Sequence, residues 1–168
     1  MSFEERIRDI LLYSEAMKLN VLVWGPGTIA TEHFQKREKL RQEIESRFRN
    51  ADVKYSEDLT GVVPGSDDLT LPEQELIHLA ACDICVILDT SKGAGEEIAH
   101  FVSSAYAHKL VILSHEIYRN ASSFPASLRK YGNQLFYNDE EYETCHLVHR
   151  VITRVRHVAL AKMSGLTA

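Results

Sequence analysis

The feature that most constrains the fold of this chain is a short, wholly apolar run that leads directly into a polar, glycine-bearing segment. Residues 84–88 read Ile-Cys-Val-Ile-Leu, and Asp-Thr-Ser-Lys-Gly follows at residues 89–93. Such a run is typical of a parallel β-strand covered on both faces, and the polar cluster predicts a turn. Glu96 and Glu97 then open a predicted helix. Ligands of open α/β sheets bind beyond the carboxyl ends of strands, so these carboxylates lie where a ligand is expected.

Similar strand signals alternate with helical ones along the chain. Further strands are predicted at Leu19 to Trp24, Asp52 to Ser56, Lys109 to Ser114 and Gln134 to Tyr137. Helices are predicted over residues 3–18, Thr31 to about Arg49, Leu71 to Ala81, Glu96 onward and Asp139 to about Met163, with a loop over residues 59–68 and partial helicity over 115–132. This alternation implies a parallel sheet with right-handed crossovers. We therefore predict a three-layer, doubly wound, flavodoxin-like α/β fold with five strands in the order 2-1-3-4-5, an extra N-terminal helix and a long C-terminal helix.

The bulk composition fits one domain over residues 1–168. Of these residues 45% are hydrophobic, enough for a core without metal or disulfide support. Nineteen Lys and Arg against 24 Asp and Glu give a formal charge of -5, which argues against a protein that mainly grips the nucleic-acid backbone. The sequence has no secretory leader pattern and no apolar run near the roughly 20 residues that a bilayer span needs. We expect a cytoplasmic protein with no membrane partner.

Cysteine and histidine usage gives little support for a metal site. Cys82 and Cys85 fall inside the predicted strand, where residues three apart point to opposite faces, so we interpret them as core residues and not as a redox or metal pair. His146 and His149 lie three apart on the last predicted helix and could share a metal. The basic residues around them favour a solvated or interface face instead. No metal and no bound cofactor is expected.

Two segments are predicted to lie at the same rim as the opening segment. In the first, Gly25 and Gly27 would let the backbone approach a ligand closely, and Trp24 would offer a flat apolar face. An intervening proline and the lack of a third spaced glycine exclude the dinucleotide fingerprint and the P-loop. A tight turn with a half-buried tryptophan is the alternative. The second segment contains Asp58, and its alternative is a solvated acidic turn.

The opening segment holds the strongest chemical candidates. Asp89 closes the strand, Ser91 can donate or accept a hydrogen bond, and Gly93 permits unusual backbone angles. Glu97 lies about one turn into the helix, where partial burial is expected and the helix N-terminus helps to keep the carboxylate ionised. Such a carboxylate suits attack on, or stabilisation of, an oxocarbenium-like sugar carbon. The alternative is that Glu96 and Glu97 only complement the helix dipole.

The spacing Asp89-x-Ser91-x-Gly93-x-x-x-Glu97, followed by Ile-Ala-x-Phe and the next strand, resembles the nucleoside 2-deoxyribosyltransferase-like family and the related Toll/interleukin-receptor-like domains. The resemblance covers roughly residues 19–115. It implies a flavodoxin-like sheet and cleavage of N-glycosidic bonds in nucleosides, nucleotides or nicotinamide adenine dinucleotide (NAD). By position, Glu97 matches the catalytic glutamate of these families, and Asp89 and Ser91 match residues that contact the sugar or orient that glutamate.

The same resemblance implies further contacts and one departure. Trp24 and Gly25 fall where the first strand meets the base or ribose, and Asp58 falls on the second rim loop. Ala94 follows Gly93 here, whereas enzymes that transfer deoxyribose between bases carry a Gly-Thr pair, and this departure disfavours transfer.

The expected function is therefore N-glycosidic bond cleavage, with NAD as one candidate substrate and no cofactor. A non-catalytic nucleotide-binding sensor, or a regulatory or assembly module on the same fold, is the alternative. The leading helix and the apolar stripe of the last helix favour assembly as a homo-oligomer or with a partner protein. Related bacterial proteins serve as effectors in antiphage defence, so the resemblance extends to that role.

Overall fold

A computed structural model of the chain describes residues 1–62, 65–90, 92–120 and 132–165. Its strands form a five-stranded, all-parallel sheet in the order β2-β1-β3-β4-β5. The strands are β1 (Leu19–Trp24), β2 (Ala51–Lys54), β3 (Ile84–Leu88), β4 (Leu110–His115) and β5 (Asn133–Tyr137). The predicted flavodoxin-like α/β fold and strand order are confirmed.

Helices flank the sheet on both sides. They are α1 (Phe3–Glu15), α2 (Thr31–Arg47), α3 (Ser56–Leu59), α4 (Leu71–Ala81), α5 (Lys92–Phe101), α6 (Asp139–Glu143) and α7 (Leu147–Met163). Short 3-10 turns lie at Ser66–Asp68, Ala107–Lys109 and Glu116–Tyr118. None of the helices in the described ranges combines the length and apolarity that crossing a bilayer requires.

Two apolar clusters form the core, one on each face of the sheet. Residues of α2 and α7, such as Leu40 and Val155, pack on one face, while Leu79 of α4 and Ile98 of α5 pack on the other. Every residue of β3 is buried, as expected for a parallel strand between two helical layers. The alternation of side chains along β1 sends Val21 and Val23 to the first cluster and Leu22 and Trp24 to the second.

Two helix predictions are wrong in their boundaries. Helix α5 begins at Lys92 and not at Glu96, so the glycine-bearing segment is its first turn. The predicted helix from Asp139 to Met163 is two helices, because Cys145 has a φ of 58°, a left-handed conformation that a continuous helix cannot contain. Much of the predicted partly helical stretch over 115–132 lies outside the described residues.

The cysteines are core residues as predicted, but their placement differs. Cys82 caps the end of α4 and precedes β3, so it is not a strand residue. Cys82 and Cys85 both join the cluster beneath α4 and α5, and both are free thiols. Burial raises the pKa of the Cys82 thiol to about 12 and that of Cys85 well above its ordinary value. These thiols are therefore poor nucleophiles at neutral pH.

Candidate functional site

The carboxyl ends of β1 and β3 form the crevice in which a ligand of this fold is expected. The two strands are neighbours in the sheet. The chain leaves β1 towards α2 on one face and leaves β3 towards α5 on the other face. In an open α/β sheet this divergence leaves a cleft at the switch point between adjacent strands.

Gly25 brings the turn after β1 against the end of β3. Its φ is +148°, and a Cβ atom at this position would lie 3.1 Å from both the Cβ and the carbonyl oxygen of Leu88. A side chain is therefore excluded by conformation and by space. Gly27 is different, because nothing lies within 4 Å of the position that its Cβ would occupy. The close approach predicted for this turn is to the protein's own β3, and Gly25 alone requires it.

Trp24 does not offer a face to a ligand, and that prediction is wrong. The residue is 0% exposed, and its ring packs against Phe101 with 5.2 Å between the ring centroids. It is the last residue of β1 and points into the cluster beneath α5, because side chains alternate along the strand. The indole therefore lies within the core and cannot stack on a base.

Arg37 is the residue at this rim that sequence reasoning missed. It lies on α2, is 1% exposed, and donates through Nε and Nη2 to the carbonyl oxygen of Val23 at 3.1 and 2.7 Å. Its Nη1 donates to the carbonyl oxygen of Pro26 at 3.3 Å. It also forms a bidentate pair with Glu57, at 2.6 and 2.7 Å, and its guanidinium lies over the Tyr55 ring, 4.1 Å from the centroid. Arg37 therefore ties the turn after β1 to α3.

Asp58 is engaged locally. Its Oδ2 accepts a hydrogen bond from the backbone N–H of Tyr55 at 3.1 Å, which caps the start of α3, and it lies 3.4 Å from Arg41 Nη1. These contacts give the Asp58 carboxylate hydrogen-bonding partners within the protein, so it needs no ligand. The neighbouring Glu57 faces the rim through its pair with Arg37.

Glu97 lies in a pocket of about 350 Å³ between α4 and α5. The pocket is lined by Leu71, Pro72, Glu75, Glu96, Glu97, His100 and Phe101. The Glu97 side chain is half-buried, and its Oε2 is buried with no hydrogen-bond partner within the described ranges. A second carboxylate, Glu75, faces the same pocket from α4. The pocket is therefore lined by acidic side chains from both helices, and Glu97 among them has an oxygen without a partner in the described residues.

Burial raises the pKa of Glu97 to about 8, and the negative charge of Glu75 contributes further. Arg37 lowers this pKa and Glu57 raises it, but both effects are smaller than that of Glu75. Burial, together with the charge of Glu57, also raises the pKa of Glu75. The prediction that the helix N-terminus keeps Glu97 ionised is therefore wrong. At neutral pH Glu97 carries a proton, because removing it would leave a poorly solvated carboxylate beside another one.

Position along α5 also argues against a dipole role for Glu97. It is the sixth residue of the helix, whereas the field of the helix terminus falls off within the first turn. Glu96 is exposed and lies at the margin of the same pocket. The two adjacent glutamates therefore occupy different environments.

Asp89 is not among the described residues that line this pocket. Asp89 Oδ2 accepts a hydrogen bond from Ser114 Oγ at 3.2 Å, and Gln134 Nε2 donates to the same hydroxyl at 3.1 Å. Asp89 is thus linked to β4 and β5, whereas Glu97 points towards α4. Ser91 lies outside the described residues. Gly93 is a helical residue of α5, so the chain does not use here the unusual backbone angles that glycine permits.

A larger groove of about 660 Å³ lies between α2 and α7 and includes Cys145, His146 and His149. The two imidazole rings lie 5.8 Å apart. In the part of the chain that the structure describes, no group of three or more His, Cys, Asp or Glu residues is arranged to hold a metal ion. The groove therefore lacks the ligand set that a metal site needs.

Comparison with known proteins supports the fold alone. No protein-family model and no curated protein matches the chain. Among solved structures, the chain is similar to a conserved protein from Enterococcus faecalis V583, with a TM-score of 0.52 and 14% identity. The match covers 82% of this chain and 99% of that chain.

Proposed function

We propose that this chain cleaves the N-glycosidic bond of a nucleoside, a nucleotide or NAD, with Glu97 as the catalytic residue. The observation that carries this proposal is the half-buried Glu97 in the pocket between α4 and α5, with an Oε2 atom that has no hydrogen-bond partner within the described residues. Its raised pKa of about 8 keeps it protonated at neutral pH. The resemblance of the segment from Asp89 to Glu97 to N-glycoside-cleaving families supplies the substrate class. The pocket lies at the small end of the range usual for small-molecule sites.

The state of Glu97 favours a role as general acid. A carboxylic acid with a pKa of about 8 keeps its proton at neutral pH and can donate it to a nitrogen or oxygen of the leaving base. As the glycosidic bond breaks, the electron pair of that bond leaves with the base, and positive charge develops at C1′. The carboxylate that remains on Glu97 then lies beside this charge and stabilises it.

Glu75 gives the site its second carboxyl group. After the base departs, a water molecule adds to C1′ and must lose a proton. Glu75 and Glu97 face the same pocket, so Glu97 can take up that proton directly or by way of Glu75, and this returns Glu97 to its protonated state. Enzymes that break glycosidic bonds usually use two carboxyl groups whose environments differ.

The test is release of free base from a panel of ribonucleosides, deoxyribonucleosides, their 5′-monophosphates and NAD, followed by liquid chromatography. We expect release from at least one substrate class. The Glu97→Gln variant should lose activity by about 10²-fold or more, the usual contribution of a positioned general acid. The rate should fall as pH rises above about 8, where Glu97 loses its proton.

Glu96→Gln is the matched control, because it alters the adjacent, exposed glutamate and should retain activity within about threefold. Equal rates for wild type and Glu97→Gln would overturn the proposal, as would the absence of base release from every substrate. Nucleotide binding that raises the melting temperature of both proteins without base release would instead support the sensor interpretation.

A further inference from the structure

Helix α1 carries more exposed apolar surface than a helix packed on a domain should. Its large apolar side chains, together with that of Met1, are between 41% and 79% exposed. They are Met1, Phe3, Ile7, Ile10, Leu11, Leu12 and Tyr13. Of the thirteen residues of α1, all within the described ranges, only Ser14 is buried.

The apolar stripe of α1 continues past the point where the helix contacts the domain. Phe3, Ile7, Ile10 and Ser14 follow one another at helical spacing, so they share one face of the helix. That face meets the domain at Ser14, whereas Ile10 and Ile7 are 47% and 45% exposed and Phe3 is 74% exposed. Tyr13 adds apolar surface on one flank, and Leu12 lies on the opposite side of the helix. A helix that is apolar on more than one side is normally covered by protein.

The C-terminal end of α1 is held firmly on the domain. Glu15 accepts from Arg47 at 2.8 Å and from Arg156 at 3.0 Å. Within the described residues, the side-chain interactions of the N-terminal end are local: Ser2 and Glu5 exchange hydrogen bonds in a capping box, and Glu5 lies 4.0 Å from the N-terminal amine. A helix of 13 residues is marginal in water without tertiary packing. The free end therefore gains stability from any contact that covers its stripe.

The exposed area reaches what a symmetric dimer needs. Scaled by their exposed fractions, the six side chains other than Leu12 present about 600 Å² per copy, and two copies together about 1,200 Å². Stable interfaces bury about 1,200–2,000 Å² in total, whereas the largest apolar patch of an ordinary monomer is about 300–600 Å². The patch is thus as large as the largest patches of ordinary monomers, and two copies reach the lower limit of a stable interface.

The charges of α1 favour another copy of the chain over a membrane. The helix has four acidic and two basic residues, a net charge of -2, whereas helices that lie in membrane interfaces are rich in lysine and arginine. Because α1 carries both acidic and basic residues beside its apolar stripe, charges of opposite sign can face each other across a two-fold axis. We propose that α1 is the interface through which two copies of this chain associate, helix against helix.

The test is the mass of the full chain in solution by sedimentation velocity and light scattering, from about 1 to about 100 µM, where weak dimers of this size populate. We expect a species of twice 19.1 kDa at the upper concentrations. The double variant Ile7→Glu/Ile10→Glu should raise the dimer dissociation constant by at least about 100-fold. Both side chains are exposed in the single chain, so the fold should survive, and circular dichroism checks this.

Ile29→Glu is the matched control, because Ile29 is 98% exposed and does not lie on α1, so this variant should dimerise like the wild type. A wild-type chain that stays monomeric throughout the range would overturn the proposal. A folded double variant that dimerises as tightly as the wild type would also overturn it. Monomers that sediment with anionic vesicles would identify a lipid surface as the occupant instead.

Discussion

Replacing Glu97 by glutamine should change how the stability of this protein depends on pH. The pKa of Glu97 in the folded chain is about 8, against an ordinary value of 4.5. Between these values the folded state holds a proton that the unfolded state releases. The free energy of unfolding therefore falls as pH rises through this window, by up to about 1.4 kcal/mol per pH unit.

This pH dependence of stability has the opposite sign to that of a salt-bridged carboxylate. The pKa of such a carboxylate is lowered in the folded state, so stability falls when the pH falls. Here the contribution of Glu97 is most favourable below its unfolded pKa of 4.5 and is lost as pH rises to about 8. At pH 7 the loss reaches about 3 kcal/mol relative to acid conditions. Glutamine has nearly the same shape and cannot ionise. The gap in stability between Glu97→Gln and wild type should widen in favour of the variant by about 3 kcal/mol from about pH 5 to about pH 8.

Urea unfolding followed by circular dichroism, at pH steps across this window and constant ionic strength, measures the gap. Glu96→Gln should run parallel to wild type, because Glu96 is exposed. In a Glu75→Gln background the gap should be smaller, since removing the Glu75 charge lowers the pKa of Glu97. A gap between Glu97→Gln and wild type that stays constant over the whole window would refute this description of the pocket.

Two further predictions concern the turn after β1. Arg37→Met should lower the free energy of unfolding by about 3 kcal/mol, because it leaves two buried backbone carbonyl groups without their hydrogen-bond donor. Arg41→Met breaks ion pairs with the exposed Glu45 and Asp58 carboxylates and a cation–π contact with Tyr55 but leaves no buried carbonyl group unpaired, so it should cost less than about 1 kcal/mol. Equal losses for both variants in urea unfolding would contradict the assignment. Gly25→Ala should lower stability by about 2 kcal/mol through backbone strain and the contact with Leu88. Gly27→Ala should be close to neutral in the same assay, and a similar loss at both positions would show that the close approach is not the cause.

The fold was predictable because its strongest signals are local. A short apolar run that forms a buried strand can be identified without reference to distant residues. Strand β1 was predicted with its observed ends. Helix α5 was misplaced because two glycines in its first turn read as a loop. A signal for the true start was present, since Ala94, Ile98 and Phe101 have helical spacing and all three are buried.

The site was only partly predictable, because burial of a charged residue depends on its neighbours in space. Glu97 was found through its spacing from Gly93. Glu75 has no local signal, since nothing in α4 indicates that a glutamate will face α5. Arg37 lies in a helix of alternating charges, which predicts a solvated face, and its burial requires the carbonyl groups at the end of β1.

The environment of Glu97 differs from that of the carboxylates that stabilise the fold. Glu15 and Glu57 each accept hydrogen bonds from arginine, and these pairs fasten one element to another. Glu97 has a buried oxygen without a partner within the described ranges, and a raised pKa that lowers stability at neutral pH. An apolar residue or a glutamine at this position would fill the same space without that loss. A side chain that weakens the fold where a more stabilising one would fit is better explained by chemistry than by packing, and this makes Glu97 the residue to test first.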